Sequence, residues 1–511
     1  MEQQLIGIDV GTSGLKALVI DASGKLLGQA TARYGVERPQ PGWTEQHPEH
    51  WWQACIEALA ALRQQGALPK DAVAGVGLTG QMHGSVFLTA GGEVVRPTIM
   101  WNDQRTAAEC ALIEERIGLK RLIELTGNRA LAGFTAPKVL WLQRHEPDNF
   151  RRTQHLLLPK DYLRLRLTGE YATDVADASG TLLFDVRGRR WSREVAHRLE
   201  VPWEWLPTAL ESPAVSGRLT GEAASALDLR PGTPVVAGAG DQAAGGVGSG
   251  AVEPDIVTCS VGTSGVVFAA TASPVIDPEA RLHSFCHASP GLWHLMGVML
   301  AAGGSFRWLA DAVAPLATAN AADMEQRLGR LAADAPAGAG GILFLPYLAG
   351  ERTPYPDPLA RGAFIGLREE HGLAELARAV MEGVTFGLRD SLELLREIGV
   401  ETREIRAIGG GSRNPLWRQI QADVFGRPVV ELAIDEGPAF GAALLAGMGC
   451  GLFRNVAEAC RTAVTLGERL EPQSGRQRLY EELYARYREM YPLLRETFHF
   501  LSTLHSEPAL K

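Results

Sequence analysis

A chain of 511 residues is longer than one compact core usually grows, and it suits two domains of about 200 to 250 residues each. Hydrophobic residues at 46%, charged residues at 21% and a mean hydropathy of −0.04 exclude a disordered or low-complexity chain. The formal charge of −9, the pI near 5.8 and the scattered Lys and Arg leave no electrostatic footprint for nucleic acid or anionic lipid, so small-molecule partners are expected.

The first element is an apolar strand, Leu5 to Ile8, reached directly from Met1-Glu2-Gln3-Gln4. With no basic n-region or small-residue cleavage site before it, a cytoplasmic protein without an export signal is expected. Val10-Gly11-Thr12-Ser13-Gly14 follows, then a second apolar run, Leu15 to Ile20, which together predict a β-hairpin with a Gly/Thr/Ser tip. The same five residues return 251 positions later as Val261-Gly262-Thr263-Ser264-Gly265, again between apolar runs. One such tip is compatible with ordinary turn chemistry. Two matched copies half a chain apart predict an internal duplication. Successive backbone N–H groups and hydroxyls at such tips form anion-binding concavities, so Gly11, Thr12, Ser13, Gly262, Thr263 and Ser264 are candidates to hold the phosphates of one nucleotide in an interdomain cleft. The copies differ just before the tip, where the first carries Asp9 and the second Ser260. Asp9 is therefore the candidate ligand for Mg²⁺, which needs only one or two carboxylates beside phosphate oxygens.

Gly75-Val76-Gly77-Leu78-Thr79-Gly80 matches a GxGxxG fingerprint literally, but Ser85 to Leu88 and Gly91-Gly92 after it read as strand and hairpin, where the fingerprint needs a helix. Farther on, Val235 to Gly246 is an apolar strand running into small residues around a lone acid, Asp241. It reads either as a helix cap or as an acid placed where substrate can approach closely. The glycines at 245–250 read as a joint between domains. Ala407 to Trp417 joins a strand to a helix through Gly409, Gly410 and Gly411, which permits a flat base to lie against backbone as well as a simple turn. Gly437 to Phe453 is uncharged but too short and Gly-rich to cross a bilayer, and is expected as a buried helix. Leu479, Tyr480, Leu483, Tyr484, Tyr487 and Tyr491 form the stripe of an amphipathic helix. The six cysteines are far apart, without metal-ligand spacing, and read as reduced core residues.

These hairpins resemble the duplicated phosphate hairpins of the actin-like ATPase superfamily, and other segments narrow the likeness. Gly133-Phe134-Thr135-Ala136-Pro137-Lys138-Val139-Leu140-Trp141 resembles the first signature of the FGGY carbohydrate kinases. Gly362-Ala363-Phe364-Ile365-Gly366-Leu367, with His371-Gly372-Leu373 and the run 377–383, resembles the second. The resemblance implies an α/β chain of two ribonuclease-H-like domains, 1–245 on the sugar and phosphate side and 246–511 on the nucleotide side, each a mixed sheet flanked by helices. It implies ATP and Mg²⁺ as cofactors and a sugar as acceptor, with Asp241 as catalytic base and Asp9 near metal and phosphates. Adenine is implied at Gly410, Gly411 and Asn414. Gln81-Met82-His83-Gly84 and Trp101-Asn102-Asp103-Gln104-Arg105 look like the versions found in the branch that phosphorylates D-xylulose, which implies sugar contacts at Met82, His83, Asp241 and Gln242. Gln242 departs from the pattern, since many relatives carry Asn there. Another ketopentose, a pentitol or a ketohexose is the alternative acceptor, and a non-metabolic actin-like ATPase is the alternative of another class. Lys16, just past the first tip, faces either phosphate or solvent. A homodimer is the assembly considered beside a monomer.

Overall fold

Leu5, Ile6 and Ile8 are fully buried on strand Gln4–Val10, the apolar-on-both-faces pattern of a central strand in a helix-covered sheet. The computed structural model describes residues 3–317, 320–434 and 436–504. The chain forms two compact units: Met1–Glu253 with Ala270–His294 and Glu436–Val464, and Pro254–Ala269 with Leu295–Asp435 and Thr465–Lys511.

In the first unit, the strands run in the order Val215–Arg218, Pro234–Val236, Val73–Gly80, Gln4–Val10, Gly14–Asp21, Leu26–Arg33, and the short strand Ala239–Gly240 also pairs with Val73–Gly80. Gln4–Val10 and Gly14–Asp21 make the expected hairpin, with Val10 opposite Leu15, and Gln4–Val10 runs parallel to Val73–Gly80. Helix Glu49–Gln64 covers one face, burying Trp51, Leu59 and Leu62 against Ile6, Ile8 and Val19. Helix Pro438–Gly449 covers the other, with Leu444 and Leu445 against Leu5, Leu18 and Ile20. That helix explains the literal GxGxxG: a Cβ on Gly77 would lie 1.8 Å from the Ala442 carbonyl oxygen, and one on Gly7 1.9 Å from that of Ala439. The glycines let a helix press against a sheet, and Val73–Gly80 is a strand throughout. Residues 245–248, expected as part of a joint, finish the helix Asp241–Gly248, in which Gly246, Val247 and Gly248 are buried.

The second unit repeats the arrangement. Ile256–Val261 and Gly265–Thr271 form a hairpin, and Ile256–Val261 lies parallel to Glu404–Ile408, which is followed outward by Val429–Leu432 and Leu466–Leu470. The duplication visible in five residues is thus a duplicated hairpin beside a parallel strand. Helices Leu373–Glu397, Pro415–Phe425 and Ser474–Thr503 pack together in this unit. The tyrosine stripe is buried as expected, and its hydroxyls reach carboxylates: Tyr480 to Glu382 at 2.8 Å, Tyr484 to Asp390 at 2.7 Å and Tyr491 to Asp357 at 2.6 Å. Leu479, at the edge of the stripe, is exposed. All six cysteines are free thiols, four of them buried.

Candidate active site

Two parallel strands flank Val73–Gly80 and stop at the same edge. Asp9 stands opposite Thr79 on one side, while Ala239 and Gly240 stand opposite Thr79 and Gly80 on the other. Asp241 is the next residue. It is the first of its helix, not the cap, which is Gly240. The open end of parallel strands is where α/β sheets bind ligands. Both carboxyls are partly buried, and their protons are held unusually tightly. Burial, then the negative charge of Asp241, pushes Asp9 up to about 7 against the pull of Lys16. Burial pushes Asp241 up to about 6, opposed by hydrogen bonds from the Gln242 backbone and side chain. Acids poised near neutrality suit proton transfer at physiological pH. Lys16, cross-strand from Asp9, is anchored by Glu436, whose Oε2 lies 2.5 Å from its Nζ.

The first tip is held from several directions. The Gly11 N–H donates to the Gly14 carbonyl at 3.0 Å, and the Gly11 carbonyl accepts from the Tyr34 hydroxyl at 2.7 Å. The Thr12 carbonyl accepts from Gln46 Nε2 at 2.7 Å, and its hydroxyl accepts from Trp101 Nε1 at 2.9 Å while donating to Gln81 Oε1 at 3.3 Å. Ser13 is exposed at the tip. Tyr34 and Gln46 carry no sequence signal for this role, because each reaches the tip through the fold from an unremarkable local stretch.

Met82 and His83 follow strand Val73–Gly80 after Gln81. Met82 is 5% exposed, and its Sδ is 3.1 Å from where a Cβ on Gly240 would stand, so it lies against the residue before Asp241. The His83 Nδ1 is 2.7 Å from the Gly180 carbonyl, and its ring stacks on Phe134 with centroids 4.4 Å apart. Gly180 leaves room for both side chains: a Cβ there would fall 2.7 Å from Met82 Cε and 2.9 Å from His83 Cε1. Behind Gly240 lies a fully buried cluster that sequence reasoning missed. Lys160 Nζ meets Asp161 Oδ1 and Asp174 Oδ2 at 2.6 Å and Asp177 Oδ2 at 3.2 Å, and Arg164 donates to the Ala237 carbonyl on the segment leading to Asp241. Three acids share two cations, and burial, with Asp174 and Asp161 close by, holds Asp177 well above the usual carboxylate range despite the attraction of Lys160.

On the second unit, the Gly262 carbonyl accepts from Gly303 N–H at 2.8 Å, and that of Thr263 from Ala302 and Gly304 at 2.9 and 3.0 Å. The tip is thereby fastened to the start of helix Gly303–Val313, with Thr263 and Ser264 exposed. Gly262, Thr263, Gly410, Gly411 and Arg307 line a cavity of about 320 Å³. A second cavity, of about 690 Å³, shares Gly410, Gly411 and Trp417 and adds Asn414 and Met381. Nothing stands within 4 Å of a Cβ on Gly410, whereas one on Gly411 would strike Val261. Asn414 also caps helix Pro415–Phe425, its side chain accepting from Leu416 and Trp417 N–H groups. The predicted residues thus fall into two groups: Asp9, Gly11, Thr12, Ser13, Met82, His83, Asp241 and Gln242 on the first unit, and Gly262, Thr263, Ser264, Gly410, Gly411 and Asn414 on the second.

Comparison with known proteins gives this arrangement a family. Residues 4–248 match the N-terminal domain of the FGGY family of carbohydrate kinases and residues 257–450 its C-terminal domain. The chain belongs to the FGGY family of carbohydrate kinases. It is 42% identical to a xylulose kinase of Escherichia coli K12, over 96% of this chain and 99% of that protein, and 38% identical to a xylulose kinase of Bacillus subtilis 168, over 95% and 96%. The crystal structure of xylulose kinase from Rhodospirillum rubrum superposes with a TM-score of 0.90 at 31% identity, covering 97% of this chain and all of that one. As an FGGY kinase, the chain has two sheet-and-helix domains of the actin-like ATPase fold, and ATP is its substrate.

Proposed function

We propose that this FGGY kinase phosphorylates D-xylulose with ATP, giving D-xylulose 5-phosphate and ADP. The observation that carries the chemistry is Asp241: a carboxyl at the open end of the sheet, raised to about 6, with Met82 beside the residue that precedes it. The choice of sugar is supported by the xylulose kinases among its relatives at 37 to 44% identity. Asp241 takes the proton of the attacking sugar hydroxyl as that oxygen bonds to the γ-phosphorus, and the bond to the ADP oxygen breaks. Met82, His83 and Gln242 hold the sugar. On the first unit, the backbone N–H groups of Thr12 and Ser13 and the Ser13 hydroxyl are the donors offered to phosphate, and the Gly11 N–H closes the turn onto Gly14. On the second, the N–H groups and hydroxyls of Thr263 and Ser264 do the same while the Gly262 N–H closes the turn onto Ser264, and Gly410, Gly411 and Asn414 shape the nucleotide cavity.

The residues present fit Mg²⁺. Asp9 Oδ1 is buried without a hydrogen-bond partner, and burial, then the charge of Asp241, makes the ionised Asp9 costly despite the pull of Lys16, a cost that a bound cation would offset. When bound, Mg²⁺ neutralises phosphate charge. The reading carries a cytoplasmic location, where ATP is made and free thiols such as these six persist; no described helix is long and apolar enough to cross a membrane.

An ADP-release assay with D-xylulose, D-ribulose, a pentitol, a ketohexose and no sugar tests this. D-Xylulose should be turned over with the highest kcat/KM. Equal ADP release with and without sugar would instead indicate an ATPase, and a better sugar would replace the assigned substrate.

A further inference from the structure

His83 has a backbone φ of 69°, in the left-handed region that residues with a Cβ avoid, so its neighbours must hold it there. Two donors converge on its carbonyl: Lys138 Nζ at 2.9 Å and Thr135 Oγ1 at 3.1 Å. Both lie on the first turn of helix Thr135–His145. The same ammonium donates to the Gly133 carbonyl at 2.7 Å, and Gly133 immediately precedes Phe134, whose ring stacks on the imidazole. One cation thus fastens the backbone at both members of the stack. Lys138 is 0% exposed, and both groups that accept its hydrogen bonds are carbonyls. Burial is the main cause that pulls its pKa down to about 7. An aliphatic side chain of similar length would fill this space without the cost of burying an ammonium, so packing alone does not account for it.

The bond from His83 to the Gly180 carbonyl sets the tautomer. A carbonyl only accepts, so Nδ1 carries the hydrogen, and in the neutral ring Nε2 is an acceptor able to take a hydrogen bond from a hydroxyl. The Gly180 carbonyl fixes the ring at Nδ1 and the clamped carbonyl fixes the backbone that carries it, so the ring's orientation depends on both.

We propose that Lys138 is a positioning residue for the sugar step: together with Thr135 it holds the His83 carbonyl, and so fixes the plane and tautomer in which the imidazole meets the sugar. This rests on the reading of His83 as a sugar contact.

The test uses the full chain with Lys138→Met, Lys138→Arg and Thr135→Val, and His83→Ala alongside. Lys138→Met should raise the KM for D-xylulose about 10-fold or more while the KM for ATP changes less than about twofold, since only a sugar contact is misplaced. Lys138→Arg should recover part of this loss. In nitrogen-15 histidine spectra, with the His83 signals assigned by their absence in His83→Ala, Lys138→Met should take the ring out of its single Nδ1–H tautomer. Should Lys138→Met fail to fold, Thr135→Val removes one of the two donors and should move the same readouts in the same direction by less. An unchanged His83 tautomer in a folded variant overturns the proposal, as does an equal rise in both KM values with a lowered melting temperature. His83→Ala with unchanged sugar KM would overturn the site reading instead, while the spectra still decide whether Lys138 sets the ring.

Discussion

Asp9 and Asp241, 232 positions apart in the numbering, stand at the C-terminal edge of two strands that flank the same strand, Asp9 one residue before the end of its strand and Asp241 one residue after the end of its own. The charge of one raises the proton affinity of the other. The structure therefore brings together, from distant parts of the sequence within one unit, the acid assigned to the phosphates and the acid assigned to the sugar.

Asp241→Asn removes the base and leaves the shape. Turnover of D-xylulose is expected to fall roughly 10²- to 10⁴-fold. ATP affinity, measured by calorimetry, should hold, because Gly262, Thr263 and Gly410 line their cavity on the second unit. Near-parental turnover in the folded variant would remove Asp241 from its role.

The two raised acids also tie stability to pH. Each binds its proton more tightly folded, at about 7 for Asp9 and about 6 for Asp241, than at the ordinary value of 3.8, so folding takes up protons. Stability of the enzyme without metal or nucleotide should fall as pH rises from about 4 to about 7. Asp9→Asn cannot ionise, so its melting temperature should match the parent near pH 4 and exceed it at pH 8. In activity, kcat/KM should decline as pH drops below about 6, where Asp241 becomes protonated. A parent melting temperature that rises across this window would contradict the buried pair.

Gly180→Ala tests the sugar residues from the side. Its Cβ would crowd Met82 Cε at 2.7 Å and His83 Cε1 at 2.9 Å, and its φ is not of the left-handed kind. A side-chain shift of under an ångström is enough to raise the sugar KM on the order of 10-fold. The ATP KM should stay put. Unaltered sugar kinetics would show that these side chains do not meet the substrate.

Two glycines should respond in opposite ways to alanine. Gly77→Ala places a Cβ 1.8 Å from the Ala442 backbone oxygen, and only displacement of helix Pro438–Gly449 relieves it. The expected loss is about 3 kcal/mol or more by denaturant unfolding. Gly410→Ala meets nothing within 4 Å and should leave stability within about 0.5 kcal/mol. It narrows the cavity that Gly410 lines and should raise the ATP KM. Equal stability losses at both positions would refute this reading of the two glycines.

What could be read from the chain alone is what local pattern encodes. The repeated Gly-Thr-Ser-Gly tips, each between apolar runs, disclosed a duplicated hairpin, since a tip needs residues tolerant of tight turns and strands need apolar faces. The tyrosine stripe disclosed its helix by spacing, because burying one helical face imposes a period near 3.6 residues. The segments around Asp241 and His83 were legible as motifs, though the roles they imply came from family resemblance. Other features had no local trace. The glycines at 245–250 looked like a joint, yet a run of small residues is equally what a buried helix needs to approach its neighbour, as where a Cβ on Gly441 would lie 1.8 Å from the Ala244 carbonyl oxygen. Helix Pro438–Gly449 belongs to the first unit although it comes late in the chain, a placement set by the flat glycine surface of Gly7 and Gly77. Tyr34 and Gln46 hold the first tip, and Lys138 holds His83, through hydrogen bonds across tens of residues. Such bonds depend on the direction of single donors and acceptors after folding, and residue type and spacing carry no record of that direction.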